Sequence, residues 1–145
     1  MDTASTISSS TLDTNPRSRS ARQVAAIGAM AATVANVALW ASGRAADVGF
    51  MVTPAVGDPF QVGVVLVAVT TLLTFAAGSA VLALAARRSH RWARVVMASA
   101  AVFAVVSAVG PLSTAYDTAT GALLAAMHLV TGAAFLATAV RMTAR

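Results

Sequence analysis

At 145 residues the chain has room for one domain, and with 58% hydrophobic and 10% charged residues, against roughly 25% charged in soluble domains, water is not its main solvent. The net charge of +5 is carried by ten Arg against five Asp, with no Lys or Glu; the arginines flank apolar runs instead of building a basic face, which points to lipid headgroups and away from nucleic acid. The absence of Cys excludes disulfides, thiolate metal sites and thiol catalysis.

Residues 1–21 open with a Ser/Thr-crowded stretch that has too few large apolar side chains to offset the entropy of ordering, so a disordered cytoplasmic tail is expected. The membrane domain is expected over residues 22–145. After Arg17, Arg19 and Arg22, residues 24–41 run without a charge, close to the roughly 20 residues that span a bilayer. A basic stretch before an apolar run also describes a secretory leader, but this run is longer than a leader core, and Asn36 and Trp40 suit a retained helix.

The long polar connection that follows holds Val48, Phe50 and Val52 alternating with Gly49, Met51 and Thr53, a period-two pattern that predicts a short strand or interfacial loop. Residues 62–86 form a charge-free second span. Arg87, Arg88, Arg91 and Arg94 come next, a topology determinant or a contact for anionic headgroups. A third span is expected over 93–109, stopped at Gly110-Pro111, and a fourth over 119–140. The fold class is therefore all-α, an integral membrane four-helix bundle with a short extracytoplasmic loop or strand between the first two helices. Nine arginines fall on one side of these spans and Arg44 alone on the other, which places both termini in the cytoplasm.

Two stripes of small residues stand out: Gly28 and Ala32 with Asn36 at intervals of four, and Gly121, Ala125 and Gly132 with His128 among them. Such stripes let helix backbones approach closely. His128 and Asn36 are the candidate polar site. An ionisable group deep in a span is costly and often functional, and a hydrogen bond from His128 to Asn36 or to a hydroxyl is the simplest structural role. Thr70, Thr71, Thr74, Ser79, Ser99 and Ser107 are expected to bond back to their own helix carbonyls. No metal or cofactor is expected, because His90 lies at the wrong depth and Met127 points about 100° from His128.

The stretches "VANVALW", "VTPAVGDPFQVGVVL", "RWARVV" and "VGPLSTAYDTATGALLAAMHLVTGA" together resemble a family of small four-span membrane proteins from high-GC bacteria, an uncharacterised domain of unknown function. The resemblance covers roughly residues 20–140 and implies the architecture without an activity. The expected function is a non-enzymatic structural or accessory component of the cell membrane. Its partners are the lipid bilayer and, through the stripes, a second copy or another membrane protein. The alternative is a small-molecule or lipid-binding protein, with a pocket between the first and fourth spans around His128 and Asn36.

Overall fold

The computed structural model describes residues 16–143. Four helices, α1 (Pro16–Ala45), α2 (Val64–Arg88), α3 (His90–Thr114) and α4 (Thr118–Thr143), pack together with a two-strand antiparallel hairpin, β1 (Met51–Val52) and β2 (Phe60–Gln61), between the first two. All four helices are long and apolar enough to cross a membrane. Their outward surfaces agree with a lipid environment: Ile27, Val65, Leu73 and Val102 are each more than 60% exposed, the reverse of a bundle built for water. This is a multi-pass membrane protein whose bundle presents apolar side chains to the bilayer.

Each helix differs in extent from its charge-free run. A run without charge marks the stretch that hydrocarbon tolerates, whereas the backbone ladder continues for as long as i to i−4 bonds can be made. Hence α1 opens at Pro16, inside the segment expected as tail, and runs on to Ala45. Met1 to Asn15, the rest of that segment, lie outside the described residues, as does Arg145. α3 passes the stop expected at Gly110-Pro111 and continues to Thr114. A proline removes one N–H from the ladder, but Ser113 Oγ and Thr114 Oγ1 both donate to Gly110 O, and Ala115 N–H donates to Pro111 O at 3.0 Å, so the last turn remains closed.

Ser89 alone joins α2 to α3. Its extended backbone caps the end of α2 through an N–H to Ala85 O, while its Oγ accepts from Trp92 N–H to cap the start of α3. The arginines around this joint, together with Arg22 and Arg141, collect at one end of the bundle, the arginine end; the hairpin marks the other. At the hairpin end β1 also binds the α3–α4 connection: Thr53 N–H donates to Thr114 O at 2.8 Å and Tyr116 N–H to Met51 O at 3.0 Å. The expected strand is thus present, shortened to two residues in β1.

Two dry clusters hold the bundle. Ala32, Phe75, Leu82, Ala93, Phe135 and Ala139 pack toward the arginine end, with the Phe75 and Phe135 rings edge to face at 5.6 Å. Phe50, Val52, Val67, Leu124 and Met127 pack at the hairpin end. Phe50 is fully buried with φ at +52°, a conformation that costs a bulky L residue roughly 1–2 kcal/mol. Its ring stacks on Trp40 at 6.1 Å and occupies the space that a Cβ on Gly43 would need, so the stack and the small residue below it offset the backbone cost.

The start of α4 is fixed by Asp117, whose Oδ1 accepts Thr120 N–H at 2.8 Å and whose Oδ2 accepts the Thr120 hydroxyl at 2.7 Å. The backbone bond from Thr120, then the hydroxyl bond, holds the Asp117 carboxyl below the usual aspartate range. A depressed folded pKa means that this contribution is complete above the unfolded value of 3.8 and is lost as pH falls through the lower folded value. Thermal stability in nanodiscs should therefore fall as the pH drops below about 3.8. Asp117→Asn, which keeps an acceptor and cannot titrate, should show a flatter pH profile; an equal slope in both proteins would exclude the carboxylate as its source.

Candidate functional site

The small residues of the stripes are consumed inside the chain. Gly28 lies against Thr138 and Phe75, Gly121 against the Pro111 carbonyl, and Gly132 against Ala104, each so closely that an added Cβ would meet its neighbour. Ala32 and Ala125 are buried as well. Each of these residues sits at a contact between helices of one chain, the glycines of α4 against α3 and Gly28 of α1 against Thr138 of α4.

Between the two dry clusters the packing opens into a cavity of about 520 Å³. Its walls come from α2, α3 and α4, including Thr70, Thr74, Phe103, Ser107 and His128, and Asn36 is the single α1 residue that reaches it. The expected pocket lay between the first and fourth spans; α1 instead meets α4 directly, where Gly28 lies on Thr138 and where Asn36 donates to Thr131. The space lies instead on the other side of α4, because α2 and α4 meet mainly where Phe135 covers Gly78 and where Asn36 bridges them.

Asn36 is 2% exposed. Its Nδ2 donates to Thr71 Oγ1 at 3.0 Å and to Thr131 Oγ1 at 2.8 Å, tying α1 to α2 and α4 in one amide. Both hydroxyls bond back to their own helices, Thr71 to Val67 O at 2.7 Å and Thr131 to Met127 O at 2.8 Å. The Asn36 Oδ1 atom is buried and accepts from nothing among the described residues. An unpaired polar atom in such surroundings costs roughly 1–3 kcal/mol, so it is a reason to look for a missing donor.

His128 does not bond to Asn36. Its Nδ1 lies 2.8 Å from Leu124 O on its own helix, and the side chain lines the cavity while remaining exposed in the isolated chain. The two candidates nevertheless share a depth. With α1 ending at Ala45 and α4 beginning at Thr118, Asn36 and His128 each sit about 14–15 Å from the hairpin ends of their helices, so the offset implied by the shorter spans is gone. Thr71 and Thr131, which complete the network, carried no sequence signal beyond being hydroxyls in apolar runs.

Of the other expected back-bonds, Thr70 donates to Leu66 O at 2.7 Å and Ser107 to Ala104 O at 3.2 Å. Ser79 Oγ is buried without a partner. Among the described residues no three His, Asp or Glu side chains gather as a metal site would require. Arg87, Arg88, Arg91 and Arg94 lie at the arginine end, away from the cavity wall.

No curated protein and no solved structure matches the chain. A family model does match, over residues 16–145, which takes in all four helices and the hairpin. The chain belongs to that family, DUF6069, a family of unknown function.

Proposed function

We propose that this is a non-enzymatic membrane protein that holds a small molecule or a lipid in the cavity between α2, α3 and α4. The observation that supports this reading is an apolar space of about 520 Å³ with Asn36 and His128 in its wall, within the 300–1,000 Å³ of ordinary ligand sites. One imidazole without a carboxylate or thiol partner is a poor catalytic set, which favours binding over reaction. A purely structural or accessory role is the second reading. It draws on the closely packed glycines, but these are already used within the bundle.

The experiment is to purify the protein in mild detergent, extract it with organic solvent and identify what is retained by mass spectrometry. Thr74→Trp is the control, because Thr74 is an exposed residue of the cavity wall whose enlargement fills space without disturbing the core. We expect a molecule retained by the wild type and lost from Thr74→Trp, with the variant still recovered as a folded, monodisperse protein. Identical extracts from the two proteins would sink the binding reading and leave the structural one.

For orientation, the proposal is that the arginine end faces the cytoplasm, following the retention of positive charge on that side. The natural lack of Cys makes single-cysteine labelling clean. A Cys at Asp58, in the hairpin loop, should be labelled from outside intact cells. Labelling at Ser89 instead would reverse the topology.

A further inference from the structure

The polar atoms of the cavity wall are, with one exception, acceptors. Thr71 and Thr131 spend their hydroxyl protons on Val67 O and Met127 O, so each can only accept from Asn36, and the amide orientation is fixed. Turned over, Oδ1 would face two hydroxyl oxygens with no proton left to give. Oδ1 therefore stays the unpaired end, buried beside the cavity. On His128, a carbonyl oxygen offers only lone pairs, so the 2.8 Å contact with Leu124 O requires the proton on Nδ1. In the neutral ring this makes Nε2 an acceptor. Thr70 and Ser107 have likewise committed their protons to backbone carbonyls, and Thr74 alone, among the described residues of the wall, has a hydroxyl with no such bond.

No Arg or Asp side chain lines the space. A carboxylate, a phosphate headgroup or a carbonyl-type acceptor would enter a wall of lone pairs with neither cation nor donor array to meet it. We infer that the cavity takes a neutral molecule carrying an O–H or N–H donor on an apolar frame, of the phenol, hydroquinol or fatty-alcohol type, with His128 Nε2 as the accepting atom. This deepens the binding reading above and rests on it. The apolar frame occupies the space beside Phe103 and Phe135, and the donor supplies what Nε2 lacks. Selection is between molecules of equal shape that differ in one proton: the alcohol over its ether, the hydroquinol over its quinone.

The test uses a matched pair, 4-heptylphenol and its methyl ether, which differ in that proton. Ligand-induced thermal stabilisation of the full chain in nanodiscs gives an apparent affinity for each. The phenol-to-ether ratio is then compared between wild type and His128→Phe, so that partitioning of the probes into lipid cancels. The phenol should bind the wild type roughly tenfold tighter than the ether, about the worth of one hydrogen bond, and the ratio should collapse toward one in His128→Phe. Equal stabilisation of the wild type by both probes would overturn the donor selectivity and leave binding standing. A wild-type preference that survives unchanged in His128→Phe would overturn the assignment of Nε2 as the acceptor. Stabilisation by neither probe would overturn this inference; the binding reading itself falls only on the extraction result above.

Discussion

Phe50→Ala is expected to lower the unfolding free energy by about 3–5 kcal/mol, the usual cost of emptying a buried aromatic site, measured by SDS titration in mixed micelles. Phe50 is fully buried, stacks on Trp40 and covers Gly43, and its carbonyl accepts the Val62 N–H at 2.9 Å. Removing the ring therefore empties the cluster that closes the hairpin end and leaves Trp40 without its partner. The backbone gives a second, sharper expectation. Alanine retains a Cβ at φ +52° and so retains the left-handed cost, whereas glycine does not. Phe50→Gly should then be less damaging than Phe50→Ala by about 1 kcal/mol, against the ordinary order in which glycine is the worse replacement. Equal losses would mean that the loop relaxes its dihedral once the ring is gone.

The second large effect is expected at Gly132. A Cβ there would collide with the Ala104 Cβ, an atom with no torsion by which to move aside, so α3 and α4 must separate. Overpacking of this kind costs about 1–3 kcal/mol for a methyl group, and Gly132→Leu should exceed it by enough to prevent recovery of folded protein. The compensating change Ala104→Gly restores the room, so Gly132→Ala combined with Ala104→Gly should recover most of the loss in a double-mutant cycle. Gly110→Ala is the control: a Cβ there meets nothing within 4 Å and lies within α3, so it should be neutral or mildly stabilising. If Gly110→Ala were as harmful as Gly132→Ala, glycine flexibility and not interhelical contact would be responsible.

The four helices were legible because bilayer thickness imposes a length on any charge-free run, and that constraint is one-dimensional. Their ends were not, since helix termination depends on which carbonyls find partners; Ser113, Thr114 and Ala115 supply those partners around Pro111, and no pattern in "GPLST" announces it. In the hairpin, β1 could be read from the alternation around Phe50. The partner strand, two residues at Phe60–Gln61, is too short to have a period.

At the candidate site, Asn36 and His128 were conspicuous as the costly side chains of apolar spans. What they bond to was a different matter. Asn36 selects Thr71 and Thr131 from several hydroxyls according to helix rotation, and helices with lipid-facing apolar residues all round carry little sequence signal of their rotation. The same loss of information explains why the cavity was expected on the α1 side of α4 and occurs on the other. Small residues show where backbones approach closely, but they do not say which neighbour arrives, and in α4 they serve α1 through Gly28 and α3 through Gly121 and Gly132.

The hairpin's bonds to the α3–α4 connection also set an order of events during synthesis. When α1 and α2 have entered the bilayer with the hairpin between them, the Thr53 N–H and the Met51 carbonyl still lack their partners, because Thr114 and Tyr116 have not yet left the ribosome. Leu124 and Met127, which pack against Phe50 and Val52, arrive later still. The first loop to be translated is thus among the last to settle, and its closure registers that the third and fourth helices have been delivered and seated.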